Sequence, residues 1–319
     1  MTENTTLVSQ AAPTSVFDCV VVGAGPAGLT ALMYLARFHR SVVALGGEGP
    51  RPRLMYIDRT YNLPGYPDGM NGARLLLRLQ EQALEYGGAV LPAVATRVSG
   101  EDGDFRIELS DGNFLQSRKI ILAMGVRDRC PDIPGSSEHE GHFIRYCPVC
   151  DGFEHTDKKM GIVGSGPSVA RHALFLQTFS NQVTVYLHGA KADSLGSYRA
   201  KLDRAGIAVC ETRIAKIMEE HGDRESEYIG CGVCLEDGSE HPLSVLYSAL
   251  GCELHLEPVN ELNLEKDDDG YVLCGADQQT NVPGIYAAGD IVSQINQISV
   301  AFGQATVAAV RIHNTLDDD

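Results

Sequence analysis

The stretch that decides the fold is Val20-Val21-Val22-Gly23-Ala24-Gly25-Pro26-Ala27-Gly28-Leu29. An apolar β-branched run enters a G-x-G-x-x-G turn, and an apolar-striped segment follows to about Phe38. A strand before the glycines and a helix after them are the context that makes this pattern a dinucleotide fingerprint. Gly23 permits the tight turn, Gly25 lets the backbone approach a pyrophosphate, and Gly28 allows close helix–strand packing. The anion then rests at the helix N-terminus, which Pro26 and Ala27 open.

Working outward, the same arrangement recurs about 140 residues later as Met160–Val163, a turn beginning at Gly164, and a helix to about Phe179. Each unit continues into a β-branched strand, Ser41–Leu45 and Gln182–Leu187. Asp111-Gly112 joins the strands Phe105–Leu109 and Asn113–Ser117 as a hairpin, and a further strand Lys119–Ala123 follows. Asp237-Gly238 similarly joins Glu227–Leu235 to His241–Leu246. Strands are expected at Leu246–Gly251 and Gly284–Ala288, and a helix at Gln297–His313 that caps the first unit. The expected fold is α/β, with two Rossmann-like three-layer nucleotide-binding domains, the second inserted into the first. The expected limits are a flexible tail at 1–15, a discontinuous first domain at 16–126 and 250–319, and the inserted domain at 127–249.

Composition narrows the function. At about 150 residues per domain, 319 residues suggest two domains. Hydrophobic residues at 44% and charged residues at 21% support ordinary globular cores. A net charge of −16 argues against a nucleic-acid partner, whose phosphates attract Lys- and Arg-rich surfaces. No apolar run approaches the ~20 residues that span a bilayer. The polar first fifteen residues lack the apolar stretch of a secretion signal, so a soluble cytoplasmic protein without a membrane partner is expected.

Nine cysteines are scattered along the chain, and one pair stands apart in Tyr146-Cys147-Pro148-Val149-Cys150-Asp151-Gly152-Phe153. A C-x-x-C in such a setting indicates redox or metal chemistry. Two cysteines so spaced can close a small disulfide, and Asp151 beside them can supply or take the proton that each thiol step needs. Zinc would need two further ligands, for which Cys231-Gly232-Val233-Cys234 could be offered. That second pair falls in an expected hairpin strand, far beyond the interval of a zinc ribbon, so no metal is expected. Cys231 and Cys234 are read as partly buried strand residues, and Cys19, Cys130, Cys210, Cys252 and Cys274 as packing residues.

The segment Thr280-Asn-Val-Pro-Gly-Ile-Tyr-Ala-Ala-Gly289-Asp290 resembles the late T-x-x-P-G-(I/V)-(F/Y)-A-x-G-D motif of FAD-containing pyridine nucleotide-disulfide oxidoreductases. Asn296-Gln297-Ile298 is similar to the R-Q-A or R-Q-I by which that family meets the flavin, with Asn296 in place of Arg. Asn62-Leu-Pro-Gly-Tyr resembles its N-x-P-G-(F/Y) turn. With C-x-x-C-D-G ahead of a second glycine turn, the chain resembles low-molecular-weight thioredoxin reductases from Phe17 to Asn314. That resemblance implies FAD in the first domain and a homodimer. It implies that Cys150 faces the flavin, Cys147 attacks a disulfide substrate and Asp151 is the general acid and base. It also implies that Asp290, next to Gly289, holds the ribityl chain, with Asn62, Gly125, Gln297 and Ile298 beside the cofactor and Glu48, the nearest acid after the second strand, at the ribose.

The second glycine turn departs from the family pattern. Gly164-Ser-Gly166-Pro-Ser-Val169-Ala-Arg171 keeps two glycines, but Val169 replaces a small residue and Arg171 a Glu. Leu187-His188-Gly189 stands where paired arginines grip the 2′-phosphate of NADPH, and only Lys191 and Arg199 lie just beyond. The expectation is therefore a thioredoxin reductase-like enzyme that does not use NADPH in the usual way. Ferredoxin, or a second FAD in the nucleotide region, would stand in as donor, and the substrate would be the disulfide of a thioredoxin-like protein or a small molecule. The alternatives are an NADPH-dependent thioredoxin reductase and an oxygen-dependent dithiol oxidase, whose motif Phe153-Glu154 resembles.

Overall fold

The computed structural model describes residues 16–47, 51–221, 228–292 and 295–317. The expected tail at 1–15 and Glu48 lie outside the described residues. In chain order the first elements are β1 (Val16–Val22), α1 (Pro26–Arg37), β2 (Val42–Leu45), α2 (Gly72–Glu85), β3 (Ala89–Leu91), β4 (Ala95–Glu101), β5 (Asp104–Leu109), β6 (Phe114–Leu122) and β7 (Val126–Asp128). Then come β8 (Ile144–Arg145), α3 (Pro148–Asp151), β9 (Met160–Val163), α4 (Gly166–Leu176), β10 (Val183–Tyr186), α5 (Arg199–Arg204), β11 (Ala208–Cys210), β12 (Ile214–His221), β13 (Tyr228–Leu235), β14 (Glu240–Leu243), β15 (Val245–Ser248), β16 (Cys252–Leu254), β17 (Ile285–Ala287) and α6 (Ile298–Asp317).

The first sheet runs β3-β2-β1-β6-β5-β4, with β17 also paired to β6. Strand β1 is buried on both faces because successive side chains point opposite ways. Cys19 and Val21 meet α1 and α6, while Val20 and Val22 meet the core under the meander β4–β5–β6. Helix α6 lays Ala305, Ala308, Ala309 and Ile312 against α1, as the cap expected of Gln297–His313. Each fully buried Leu or Ile in that layer, Leu32, Leu35 and Ile312 among them, stabilises the fold by about 1.5–3 kcal/mol. The expected strands Asn113–Ser117 and Lys119–Ala123 are one strand, β6. Its first half pairs antiparallel with β5 and its second half parallel with β17, while β1 pairs with it from Gln116 to Leu122. The change of partner halfway made one strand read as two.

The second sheet is parallel in the order β11-β10-β9-β15-β8 and is covered by α4 on one face. The antiparallel meander β12-β13-β14 covers the other. Each half is thus a three-layer α/β unit around a Rossmann-type sheet. Between them β7 and β16 pair antiparallel, Val126 opposite Leu254 and Asp128 opposite Cys252, so the chain leaves and re-enters the first unit through one two-stranded ribbon. Among the described residues no helix is long and apolar enough to cross a membrane.

Candidate active site

Pro148 opens α3 with its backbone angle already set for a helix. The Cys150 amide returns to the Cys147 carbonyl at 2.9 Å. This single turn brings the two Cα atoms to 5.3 Å, and the sulfurs of Cys147 and Cys150 are joined as a disulfide. Cys231 and Cys234 lie elsewhere, in β13, where the buried Cys231 faces Leu243 of β14.

Both cysteines line a cavity of about 1920 Å³. Its walls also include Gly23, Gly25, Pro26, Ala27, Asn62, Gly125, Gly289, Asp290, Gln297, Ile298 and Asp151, so the described residues expected at the flavin and the redox pair, Gly28 apart, converge on one space. The cavity sits at the carboxyl ends of β1 and β6, where strand order reverses, the usual ligand crevice of an open α/β sheet. Gly28 lies behind the turn: a Cβ there would stand 1.8 Å from the Gly23 carbonyl oxygen.

The glycines separate into two kinds. Gly23 has φ +114°, and a Cβ on it would meet the Ala123 carbonyl oxygen at 2.3 Å, so the fold itself demands glycine there. Gly25 has an ordinary extended backbone with φ −81°. A Cβ on Gly25 would find only the Pro52 Cβ, at 3.9 Å. Neither backbone nor packing requires glycine at 25, and the side chain it forgoes would project into the cavity. A cradle kept clear in this way at the N-terminus of α1 fits a bound dinucleotide.

Polar groups tie the cavity wall together. Arg53, which the sequence reading missed, spans it: its Nη1 donates to Asp290 at 2.8 Å, and its Nε and Nη2 fork onto Asp128 at 2.7 and 3.0 Å. Burial works against the guanidinium charge, but the two carboxylates overcome it and hold the proton more tightly than usual. Asp290 is thus already oriented, and Asp128 belongs to the ribbon strand β7. Behind the disulfide, the Tyr247 hydroxyl donates to Asp151 Oδ1 at 2.7 Å, and Arg145 Nη1 stands 3.6 Å from Oδ2. Burial raises the Asp151 pKa above the usual carboxylate range against the opposing pull of Tyr247 and Arg145. Gln297 was expected at the cofactor; its side-chain Nε2 stands 3.3 Å from Cys150 Sγ and 3.4 Å from Cys147 Sγ.

At the second glycine turn, Gly164 and Gly166 keep positive φ and open α4. Val169 is fully buried in the α4 core, and Arg171 is exposed. His188 turns inward, and its Nδ1 accepts the Ile214 amide at 3.2 Å. Burial and the neighbouring Arg213 lower the His188 pKa, so the ring is neutral at neutral pH. Lys191 pairs with Glu211 at 3.2 Å and Arg199 with Asp203 at 2.9 Å.

A family model described as pyridine nucleotide-disulphide oxidoreductase matches residues 17–305. The thioredoxin reductase of Mycolicibacterium smegmatis is 31% identical over 305 residues, covering 93% of this chain and 95% of that protein. The bifunctional thioredoxin reductase/thioredoxin of Mycobacterium leprae is 30% identical over 93% of this chain, which spans 65% of that protein's length. The crystal structure of HlmI superposes with a TM-score of 0.85 at 28% identity, covering 95% of this chain and 93% of that one.

Proposed function

The chain belongs to the pyridine nucleotide-disulphide oxidoreductase family and is a flavoprotein disulfide oxidoreductase, and from that premise we propose that it passes electrons through Cys147 and Cys150 to a thioredoxin-like or small-molecule disulfide from a donor other than NADPH. The observation that carries this reading is the joined Cys147–Cys150 pair in the wall of the cavity that begins at the Gly23–Gly28 turn. In it, residues 16–126 and 250–319 carry FAD, with Gly25 and Ala27 at the pyrophosphate, Asp290 at the ribityl chain, and Asn62, Gly125 and Ile298 along the cofactor. When bound, the flavin supplies a two-electron centre beside the sulfurs.

The protein's part is to manage protons and access. Opening the disulfide with an electron pair and one proton leaves one thiol and one thiolate. Asp151, its carboxyl kept protonated to higher pH by burial, delivers that proton to Cys147 and takes it back when Cys147 attacks the substrate disulfide. Tyr247 favours the ionised form of Asp151 by donating to it. Tyr247→Phe is expected to raise the Asp151 pKa further, so the decline of activity above that pKa moves to higher pH. The pH profile of kcat/KM for disulfide reduction checks this; an unmoved limb, or one moved to lower pH, removes Asp151 from the role.

The reading of the donor rests on the second glycine turn. A 2′-phosphate held by a charge-assisted hydrogen bond gains about 1.5–3 kcal/mol per contact. The neutral, inward His188 offers no such contact, and Glu211 beside Lys191 would repel the phosphate. A second reading, NADPH-dependent thioredoxin reduction, draws on Arg213, whose Nη2 lies 3.5 Å from His188 Nε2 at the end of the strand. Anaerobic titration of the purified yellow protein separates the two. The expected result is slow, incomplete flavin bleaching by NADPH and NADH and rapid bleaching by reduced ferredoxin. Rapid stoichiometric bleaching by NADPH decides for the second reading, and two flavins released per chain would identify the donor as a second FAD. A homodimer completes the proposal, tested by sedimentation.

A further inference from the structure

A chain of side chains reaches the disulfide from the opposite wall. The Thr60 hydroxyl donates to Asn62 Oδ1 at 2.8 Å, Asn62 Nδ2 donates to Gln297 Oε1 at 2.9 Å, and Gln297 Nε2 reaches both sulfurs. All the donors point one way. We propose that Gln297 is a catalytic residue that stabilises the thiolate released when the disulfide opens, and that Asn62 is the positioning residue that turns its N–H groups toward sulfur. The proposal deepens the reading of Cys147 and Cys150 as the redox pair and rests on it.

The orientation is the core of the argument. A glutamine amide is nearly symmetrical in shape, and its oxygen end against a thiolate would repel where its nitrogen end attracts. Asn62 decides between them by presenting its own N–H to Gln297. Asn62 is in turn held by Thr60, which is 6% exposed and pinned through both backbone groups to Met70 at 2.9 Å. The two amides are also fixed relative to each other by apolar packing. Leu63, next to Asn62, and Ile298, next to Gln297, belong to one cluster with Leu54 and Met70. The arrangement is therefore built before any electron arrives.

The chemistry asks for a donor there. Reduction breaks the Sγ–Sγ bond, takes up two electrons from the bound flavin and one proton, and leaves one thiol and one thiolate. A disulfide is neutral and a poor acceptor, whereas a thiolate is a charged one, so the amide gains far more from the reduced pair than from the oxidised pair. Because Gln297 stands almost equally far from the two sulfurs, it serves whichever carries the charge. The other charged or titratable groups lining the cavity are Asp151, Arg145, Tyr146 and Glu140, with Tyr247 behind Asp151, and Arg51, Arg53, Tyr56, Arg59, Arg127, Asp128, His255, Glu257 and Asp290. Gln297 is the side chain among the described residues whose hydrogen bonds reach both sulfurs.

The test is the thiol pKa, which a merely structural role would not move. The flavin-loaded protein is reduced with dithiothreitol and desalted, and iodoacetamide alkylation of Cys147 and Cys150 is followed against pH by mass spectrometry. Flavin absorbance is recorded for each variant, and any variant that loses flavin is compared with deflavinated wild type. Gln297→Leu is expected to raise the pKa of the more reactive thiol by about one pH unit, a tenfold loss of thiolate below that pKa. Gln297→Glu is expected to raise it at least as far. Asn62→Asp leaves the Gln297 residue itself in place but accepts its N–H groups, turning Oε1 instead of Nε2 to the sulfurs, and is expected to match Gln297→Leu. A wild-type pKa in Asn62→Asp, or in either Gln297 variant, overturns the proposal. Loss of turnover in Cys150→Ser together with a wild-type pKa in these variants sinks this proposal alone, whereas surviving turnover in Cys150→Ser sinks the redox assignment beneath it.

Discussion

Cys150→Ser is expected to leave a yellow, folded protein whose disulfide turnover falls by on the order of 10³-fold or more. A serine hydroxyl neither forms a disulfide nor carries negative charge at neutral pH, so no electron pair can be stored between flavin and substrate. Flavin retention follows from the architecture, because the glycine turn and Asp290 belong to the first sheet and its connections, whereas α3 connects β8 to β9 of the second. Stability should change little, since the Cys147–Cys150 bond closes a loop with a sequence separation of 3 and restrains the unfolded chain weakly. Cys147 keeps its thiol and can still attack a substrate disulfide, but nothing remains to resolve the product. The variant should therefore accumulate one covalent adduct per chain, visible on a non-reducing gel and released by dithiothreitol. Turnover near the wild-type rate would remove Cys150 from the mechanism, whatever the flavin does.

What could be read in advance follows from how locally each feature is encoded. The two strand–turn–helix openings were legible because strand period, glycine turn and helix stripe all lie within one short window. The C-x-x-C turn was legible for the same reason, Pro148 and the spacing being enough to close it. Helix α2 was not, although Leu75, Leu76, Leu79 and Ala83 keep helical spacing, since the exposed Leu77 and Leu84 blur the stripe and no glycine turn frames it. The cavity wall was the least legible part. Arg53 meets Asp290 across 237 residues and Asp128 across 75, and no pattern around Arg51-Pro52-Arg53 announces either contact. Tyr247 sits in an apolar strand and reads as packing until its hydroxyl is seen on Asp151. Gln297 could be placed near the cofactor by resemblance. Its reach to sulfur depends on how the segment carrying the disulfide sits against the start of α6, which no local stretch encodes.

Gly25→Val should give a folded, colourless protein, and it tests the cofactor site more sharply than any change of a polar residue. Valine accepts the extended backbone at position 25, and its Cβ meets nothing closer than Pro52 at 3.9 Å, so the protein has no internal reason to object. Its methyl groups would instead fill the space in front of the α1 amides where a pyrophosphate must lie. Loss of even two charge-assisted contacts there weakens flavin binding by about 3–6 kcal/mol, on the order of 10²–10⁴-fold. Gly23→Ala makes the contrast. At φ +114° and 2.3 Å from the Ala123 carbonyl oxygen, its methyl strains the turn and displaces β6, so both the fold and the flavin suffer. The measurement is flavin absorbance per chain together with thermal unfolding, and the reference for the melt is deflavinated wild type, because bound cofactor raises apparent stability by mass action. Gly25→Val should melt with that reference and Gly23→Ala well below it. Stoichiometric flavin in Gly25→Val would mean that the cleared cradle holds something other than the cofactor's phosphates, and the assignment of the first glycine turn would fall with it.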